Sequence, residues 1–373
     1  MKTISLYIHI PFCKRKCLYC DFLSFSASED TKKAYVGALL REICSSSKQY
    51  TDYKVKTVFI GGGTPSILPG GAVAGIMECI HKHFDCGSCK ETTIEINPGT
   101  EYDLDEYIKS GINRISIGLQ STVKKELAAL GRIHDLADFE SLYKQALSKG
   151  IKNINVDLMS GIPEQTLTSY EQTLLYLTDN PEFPVPNHIS AYSLIVEEGT
   201  PFYTMDLSLP AEDEERCMYK ITNDILSNRG YHRYEISNYA LDGYESEHNK
   251  VYWERGNYLG LGLGSASMVN NVRWKNTENI CDYIGKNDFE KKEVKILSVQ
   301  EQMEEFMFLG LRMCRGISIR SFEEYFKCSM PENYLRVVEK YISMGLLKKE
   351  NDCVMLTDEG INVSNVIMSE FIC

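Results

Sequence analysis

The chain has 373 residues, with 52 Asp and Glu against 40 Lys and Arg, so its formal charge is −12. An acidic average disfavours nucleic acid or an anionic membrane as the main partner, and no apolar run approaches the roughly 18 residues that a membrane span needs. Hydrophobic residues make up an ordinary 43%, while thirteen cysteines, odd in number and scattered, fit no disulfide framework and raise metal or redox chemistry instead.

Met1-Lys2-Thr3 opens directly on a strand pattern with no signal peptide, as expected of a cytoplasmic protein. Ile4–Ile10 alternates and is β-rich, and further short β-rich runs follow at Thr57–Ile60, Thr92–Ile96, Arg114–Gly118, Asn153–Leu158 and His188–Leu194. Between them lie stretches of helical period, near Asp30–Ser47, Gly70–Phe84, Leu104–Ser110, Val123–Leu130, Leu136–Ser148 and Ser169–Thr178. Six strand–helix units in succession imply an α/β fold with a parallel sheet and helices outside, either an open doubly wound sheet or a barrel. The proline-rich Asn180–Asn187 reads as a loop feeding the sixth strand.

Beyond Val196 the repeat decays into an acidic helix, Ala211–Asn228, and a loop-rich, aromatic region from Tyr231 to Trp274. Helices at Val299–Met313, Ser318–Phe326 and Tyr334–Met344, then a strand pair around Asn351-Asp352, suggest a winged-helix-like module with no basic recognition helix. The expected division is a barrel core over residues 1–195, an extension over 196–287 and an α+β winged-helix-like module over 288–373.

The strongest chemical signal is Cys13-Lys-Arg-Lys-Cys17-Leu-Tyr-Cys20, directly after the first strand. Three thiolates at this spacing can hold three irons of a [4Fe–4S] cube. No fourth cysteine follows nearby, so one iron is left for a small molecule to chelate, whereas a closed structural zinc site wants four ligands. Lys14, Arg15 and Lys16 lie inside the loop, where they either offset the cluster's charge or form a solvated basic turn. Gly61-Gly62-Gly63-Thr64-Pro65 ends the second strand, where residues without side chains let backbone approach a ligand. Glu95, Gln120, Asp157 and Ala191 sit at or near the C-terminal ends of the next four strands. That is the edge carrying the active site in a β/α barrel, and this shared placement favours a barrel over an open sheet.

CxxxCxxC after an opening strand resembles the radical S-adenosylmethionine (SAM) proteins, which implies a partial (β/α)6 TIM-like barrel holding a [4Fe–4S] cluster. In that family SAM chelates the open iron, and an electron from the cluster cleaves a C–S bond to give a 5′-deoxyadenosyl radical. Tyr7-Ile-His-Ile-Pro-Phe-Cys13, the Gly61–Pro65 segment, Ile94-Glu-Ile-Asn-Pro98, Ile117-Gly-Leu-Gln120, Arg132 and Val156-Asp-Leu-Met-Ser-Gly-Ile-Pro163 narrow the resemblance to the oxygen-independent coproporphyrinogen III dehydrogenases and their relatives. The resemblance implies that Tyr7, Gly62, Glu95 and the three cysteines contact the cluster and a first SAM. Tyr19, Gly63, Thr64, Gln120, Arg132, Asp157 and Ala191 match positions that hold a second SAM in the dehydrogenase.

One departure matters: the dehydrogenases carry another cysteine two residues past the third cluster ligand, where this chain has Phe22 in Cys20-Asp21-Phe22. That sequence, together with His248-Asn249-Lys250-Val251-Tyr252-Trp253, resembles the HemW-type heme chaperones and their HNxxYW pattern. The resemblance implies heme binding with His248 as an axial ligand beside the flat faces of Tyr252 and Trp253. It also implies an acceptor hemoprotein and an electron donor such as a flavodoxin or ferredoxin. The dehydrogenase reaction itself is the alternative. The Gly256–Gly264 segment opens no βαβ unit and is expected to pack closely against the cofactor region. The lone Cys86/Cys89 pair reads as structural, and Cys44, Cys79, Cys217 and Cys314 as small core residues within helices.

Overall fold

The computed structural model describes residues 2–182, 184–285 and 288–372. The first half runs β1 (Lys2–Ile10), α1 (Glu29–Ser47), β2 (Tyr53–Gly62), α2 (Ala72–His83), β3 (Glu91–Ile96), α3 (Leu104–Lys109), β4 (Arg114–Gln120), α4 (Lys124–Ala129), α5 (Leu136–Ser148), β5 (Asn153–Ser160), α6 (Leu167–Asp179) and β6 (His188–Ser193). These strands are parallel and lie in sequence order from β1 to β6. A doubly wound sheet would reverse its order at a switch point; the unbroken order is that of a partial barrel.

Period two separates the two faces of each strand. Ile4, Leu6, Ile8 and Ile10 of β1, Val58 and Ile60 of β2, and Ile115, Ile117 and Leu119 of β4 are buried in the main hydrophobic core with the helices. The alternate positions, among them Glu95, Ser116, Asn155 and Asp157, border a central cavity. Helix starts are set by side-chain caps: Ser28 accepts from Thr31 N–H, while Asp135, Thr166 and Ser298 form reciprocal capping boxes.

The second half runs α7 (Pro201–Thr204), α8 (Glu212–Asn228), β7 (His232–Glu235), β8 (Asn238–Ala240), α9 (Glu247–Trp253), β9 (Tyr258–Leu261), β10 (Ala266–Val269), β11 (Val272–Lys275), α10 (Ile280–Gly285) and β12 (Lys292–Ile296). The region expected to be loop-rich, Tyr231 to Trp274, therefore carries five short strands and the helix α9 between its loops. The β7–β8 hairpin continues the sheet beyond β6, and β9 pairs in parallel with β1, followed by β10, β11 and β12, to make twelve strands. The short strands are completed by partners far away in sequence.

The Gly-rich segment does pack closely, but against β1 and α1, and it does not border the cavity. Gly262 has φ +107°, and a Cβ there would stand 2.5 Å from His9 O and 2.6 Å from Tyr35 Oη. Its N–H donates to Glu42 Oε2 at 2.8 Å.

A second core, built on Met307, Phe322, Tyr334, Val338 and Val354, joins α11 (Val299–Gly310), β13 (Ile317–Ser318), α12 (Ile319–Phe326), α13 (Glu332–Ser343), β14 (Leu347–Glu350), β15 (Cys353–Leu356), α14 (Asp358–Asn362) and α15 (Ser364–Ser369). Its three-stranded sheet, ordered β13-β15-β14, gives it a winged-helix outline. The boundary expected at residue 287 falls outside the described residues. No described helix is long and apolar enough to cross a membrane.

Candidate functional site

The cavity, of about 550 Å³, lies at the C-terminal ends of the parallel strands and is bordered by all three motif cysteines. Their loop is pinned along its length. Cys13 N–H donates to Phe25 O at 3.0 Å, Leu18 N–H to Leu130 O at 3.1 Å, and Lys16 Nζ to Phe22 O at 2.8 Å. Lys14 and Arg15 border the cavity, whereas Lys16 holds the loop.

A polar relay runs from the far wall to the first cysteine. Arg132 Nη1 donates to Asn97 Oδ1 (2.7 Å), Asn97 Nδ2 to Thr64 Oγ1 (2.8 Å), and Thr64 Oγ1 to Cys13 Sγ (3.6 Å). A hydroxyl donated to sulfur stabilises the thiolate that binds metal. Among the described residues no group of three or more His, Cys, Asp or Glu stands ready to hold a single metal ion. Three half-buried thiols border one cavity, the number an iron–sulfur cube with one open iron needs, whereas a closed zinc site needs four ligands.

Gly62 has φ +107°, and a Cβ on it would meet the His9 ring at 2.4 Å. Its N–H donates to Glu95 Oε2 at 3.0 Å, so the glycine is required by protein packing as well as by any ligand. The Gly63 N–H is satisfied by Ile10 O at 2.8 Å. Glu95 is pushed up to about 8 by burial and then by the charge of Asp157. Asp157, also raised by burial, accepts from Asn155 Nδ2 at 2.8 Å and Ser116 Oγ at 3.1 Å. Gln120, 6% exposed, takes φ +68° beside a register shift between β4 and β5. That irregularity re-aims its side chain at the cavity.

The ligand-free protein therefore carries a pH signature. The Glu95 carboxyl has a folded value of about 8 against 4.5 unperturbed, so folding takes up a proton between those values. Its contribution to stability is full below about 4.5 and is lost as pH rises through about 8. The thermal midpoint of wild type is expected to fall more steeply than that of Glu95→Gln between about pH 5 and pH 8. Parallel curves would remove Glu95 as the source.

Of the expected site residues, Cys13, Cys17, Cys20, Tyr19, Gly62, Gly63, Thr64, Glu95, Gln120, Arg132 and Asp157 all border the cavity. Three do not. Tyr7 donates its hydroxyl to His9 Nδ1 at 3.0 Å, since His9 Nε2–H is given to Leu23 O, and it lies beside the Phe59 ring. Ala191 lies between the cavity residues Ser190 and Tyr192, with its N–H on Ser237 O at 2.8 Å.

His248 is 1% exposed, and both ring nitrogens are paired, Nδ1 with Thr57 Oγ1 at 2.7 Å and Nε2 with Tyr252 OH at 2.9 Å. The residue expected as axial ligand is thus buried in this arrangement, with both ring nitrogens engaged by protein groups. Thr57 gives its own proton to Ser5 Oγ. His248 Nδ1–H therefore donates to Thr57, and the Nε2 lone pair accepts from Tyr252. The neighbouring Asn249 is the residue of this helix that borders the cavity.

Sequence reasoning also left Asn97, Phe59 and Arg114 unassigned, although all three border the cavity. Asn97 and Phe59 share the two-residue period of Glu95 and Gly61, which was the available signal. Of the cysteines read as core residues, Cys79 packs against the main core from α2 and Cys44 is half-buried on α1, whereas Cys217 is exposed on α8 and Cys314 lies beyond the end of α11. The Cys86 and Cys89 thiols are free, with Cys89 Sγ donating to Glu91 O at 3.5 Å.

Comparison with known proteins agrees with this geometry. The radical SAM superfamily model matches residues 7–177, and the HemN C-terminal domain model matches residues 297–363. The heme chaperone HemW of Lactococcus lactis is 35% identical over 100% of this chain and 98% of its own length. Its counterpart in Bacillus subtilis is 34% identical over 99% of each. Among solved structures, the coproporphyrinogen III oxidase HemN of Escherichia coli, a radical SAM enzyme, superimposes with a TM-score of 0.86. It covers 99% of this chain and 90% of that one at 21% identity, a likeness of fold.

Proposed function

The chain belongs to the HemW family of radical SAM proteins, and from that membership we propose that it is a heme chaperone, binding heme and passing it to an acceptor hemoprotein. The observation that carries the reading is Phe22. It stands where the dehydrogenases place a cysteine, it borders the cavity, and it is 62% exposed. An apolar ring at the cavity mouth offers a porphyrin a flat surface and supplies no thiol for decarboxylation.

In this reading Cys13, Cys17 and Cys20 hold the cluster, and Glu95, beside Gly62, receives the ammonium group of SAM. When bound, cluster and SAM supply one-electron cleavage of a C–S bond. On binding a cation, Glu95 gives up the proton that burial had held on it. Tyr19, Gly63, Thr64, Gln120, Arg132 and Asp157 form the polar wall available to a second ligand. An electron donor of flavodoxin or ferredoxin type completes the set of partners.

His248 is suited to iron in its bonding state though not in its exposure. Burial lowers its value to about 3, so it is neutral, and the Nε2 lone pair accepts from the Tyr252 hydroxyl while the Phe59 ring lies beside the imidazole. Displacement of that hydroxyl frees the nitrogen that ligates heme iron in many proteins. Anaerobic hemin titration is expected to show a Soret shift saturating near one heme per chain, with the band displaced in His248→Ala. Identical spectra for the two proteins would remove His248 as the ligand; no shift in either would remove heme.

A further inference from the structure

Arg114 opens β4 and is among the most deeply buried side chains of the protein, at 2% exposed. It nevertheless borders the cavity, its Nε has no partner, and among the described residues its guanidinium makes no hydrogen bond or ion pair. The neighbouring carboxylates are engaged elsewhere. Glu91 accepts from the N–H groups of Glu247 and His248, Glu95 from Gly62 N–H, and Asp157 from Ser116 and Asn155. A guanidinium stays charged under all ordinary conditions, and a buried charge left unpaired is strongly unfavourable. The protein keeps a guanidinium with no hydrogen-bonded partner among the described residues deep in this cavity, where the charge of Asp157 acts on it through space.

A second donor faces the same space. The Asn249 side chain borders the cavity and makes no hydrogen bond among the described residues; only its backbone N–H is used, in the cap on Ser246. Arg114 also lies six residues before Gln120 on β4, roughly 20 Å deeper along the strand than the mouth. An anion that reaches it must be carried on the end of a large ligand, and a compact methionyl carboxylate held at the cluster loop does not extend so far.

We propose that Arg114, assisted by Asn249, is a carboxylate-binding site at the cavity floor and that its ligand is a propionate of the porphyrin. The inference rests on the heme reading above and deepens it: the porphyrin enters edge-on with its acid side down.

The test compares hemin with hemin dimethyl ester, whose propionates are neutral, on the anaerobically reconstituted full chain. Wild type is expected to favour hemin by about 10- to 100-fold, the range of a charge-assisted hydrogen bond. Arg114→Gln should bind hemin no better than the ester while its affinity for the ester and for SAM stays unchanged, and Arg114→Lys should restore part of the preference. Because the variant removes an unpaired buried charge, its ligand-free thermal midpoint should equal or exceed that of wild type.

A retained hemin preference in Arg114→Gln, a loss of SAM affinity in its place, or a lowered ligand-free midpoint would each overturn the site. Wild type that binds hemin and ester equally would overturn the site and leave the heme reading intact. Wild type that binds neither would overturn both.

Discussion

Cys17→Ala is expected to load fewer than one iron per chain under anaerobic reconstitution, against about four for wild type, and to lose the broad visible absorption of the cluster. With two thiolates left on the loop, a cube cannot be held by three irons. The loss should be confined to the cofactor. The loop is fixed by Cys13 N–H on Phe25 O, Leu18 N–H on Leu130 O and Lys16 on Phe22 O, and the Cys17 side chain takes no part in those bonds. The ligand-free variant should therefore melt with wild type. Full iron loading in Cys17→Ala would remove this cysteine from the ligand set.

Glu91→Ala carries the largest expected effect on stability. Glu91 is 4% exposed and accepts from Glu247 N–H at 2.8 Å, His248 N–H at 3.2 Å, Ser246 Oγ at 3.3 Å and Thr93 Oγ1 at 3.3 Å. A carboxylate at the start of α9 satisfies amides that have no partner inside the helix and complements its dipole. Removing it leaves buried donors unpaired, at about 1–3 kcal/mol each and less than additively, for a total near 3–5 kcal/mol. At a few degrees per kcal/mol, the melting temperature should drop by roughly 10 °C. Hydrogen exchange should quicken first in α9. An unchanged midpoint would show that α9 is held by its packing alone.

These two sites differ in how far the sequence reveals them. The cysteine loop is legible because its chemistry is local: three ligands within eight residues follow a strand whose outward positions are Ile4, Leu6, Ile8 and Ile10. The six parallel strands are legible for the same reason, since every second residue must be apolar to meet the helices.

Strands β7 to β11 were hidden because they are three or four residues long, too short to display a period. They are also interleaved with Gly256, Asn270 and Asn271, which read as turns. The partner of β9 is β1, some 250 residues earlier.

The HNxxYW segment shows a subtler limit. Its residues are readable, but successive residues on a helix point about 100° apart, so His248 faces the core while Asn249 faces the cavity. Spacing alone could not say which of the two a ligand meets first. Arg114 gives no signal in the sequence because an arginine at the start of a strand is ordinarily solvated. Only the assembly of the sheet around it turns that residue into a buried charge.

The central claim is that this radical SAM chain handles heme as cargo and does not decarboxylate a porphyrinogen. One anaerobic reaction tests it most directly: reconstituted chain, SAM and reductant are given coproporphyrinogen III and, in parallel, heme, with released CO₂ and protein-bound heme both measured. The account predicts heme retained by the chain and no CO₂ above background. Two CO₂ per porphyrinogen consumed, with heme left unbound, would contradict it.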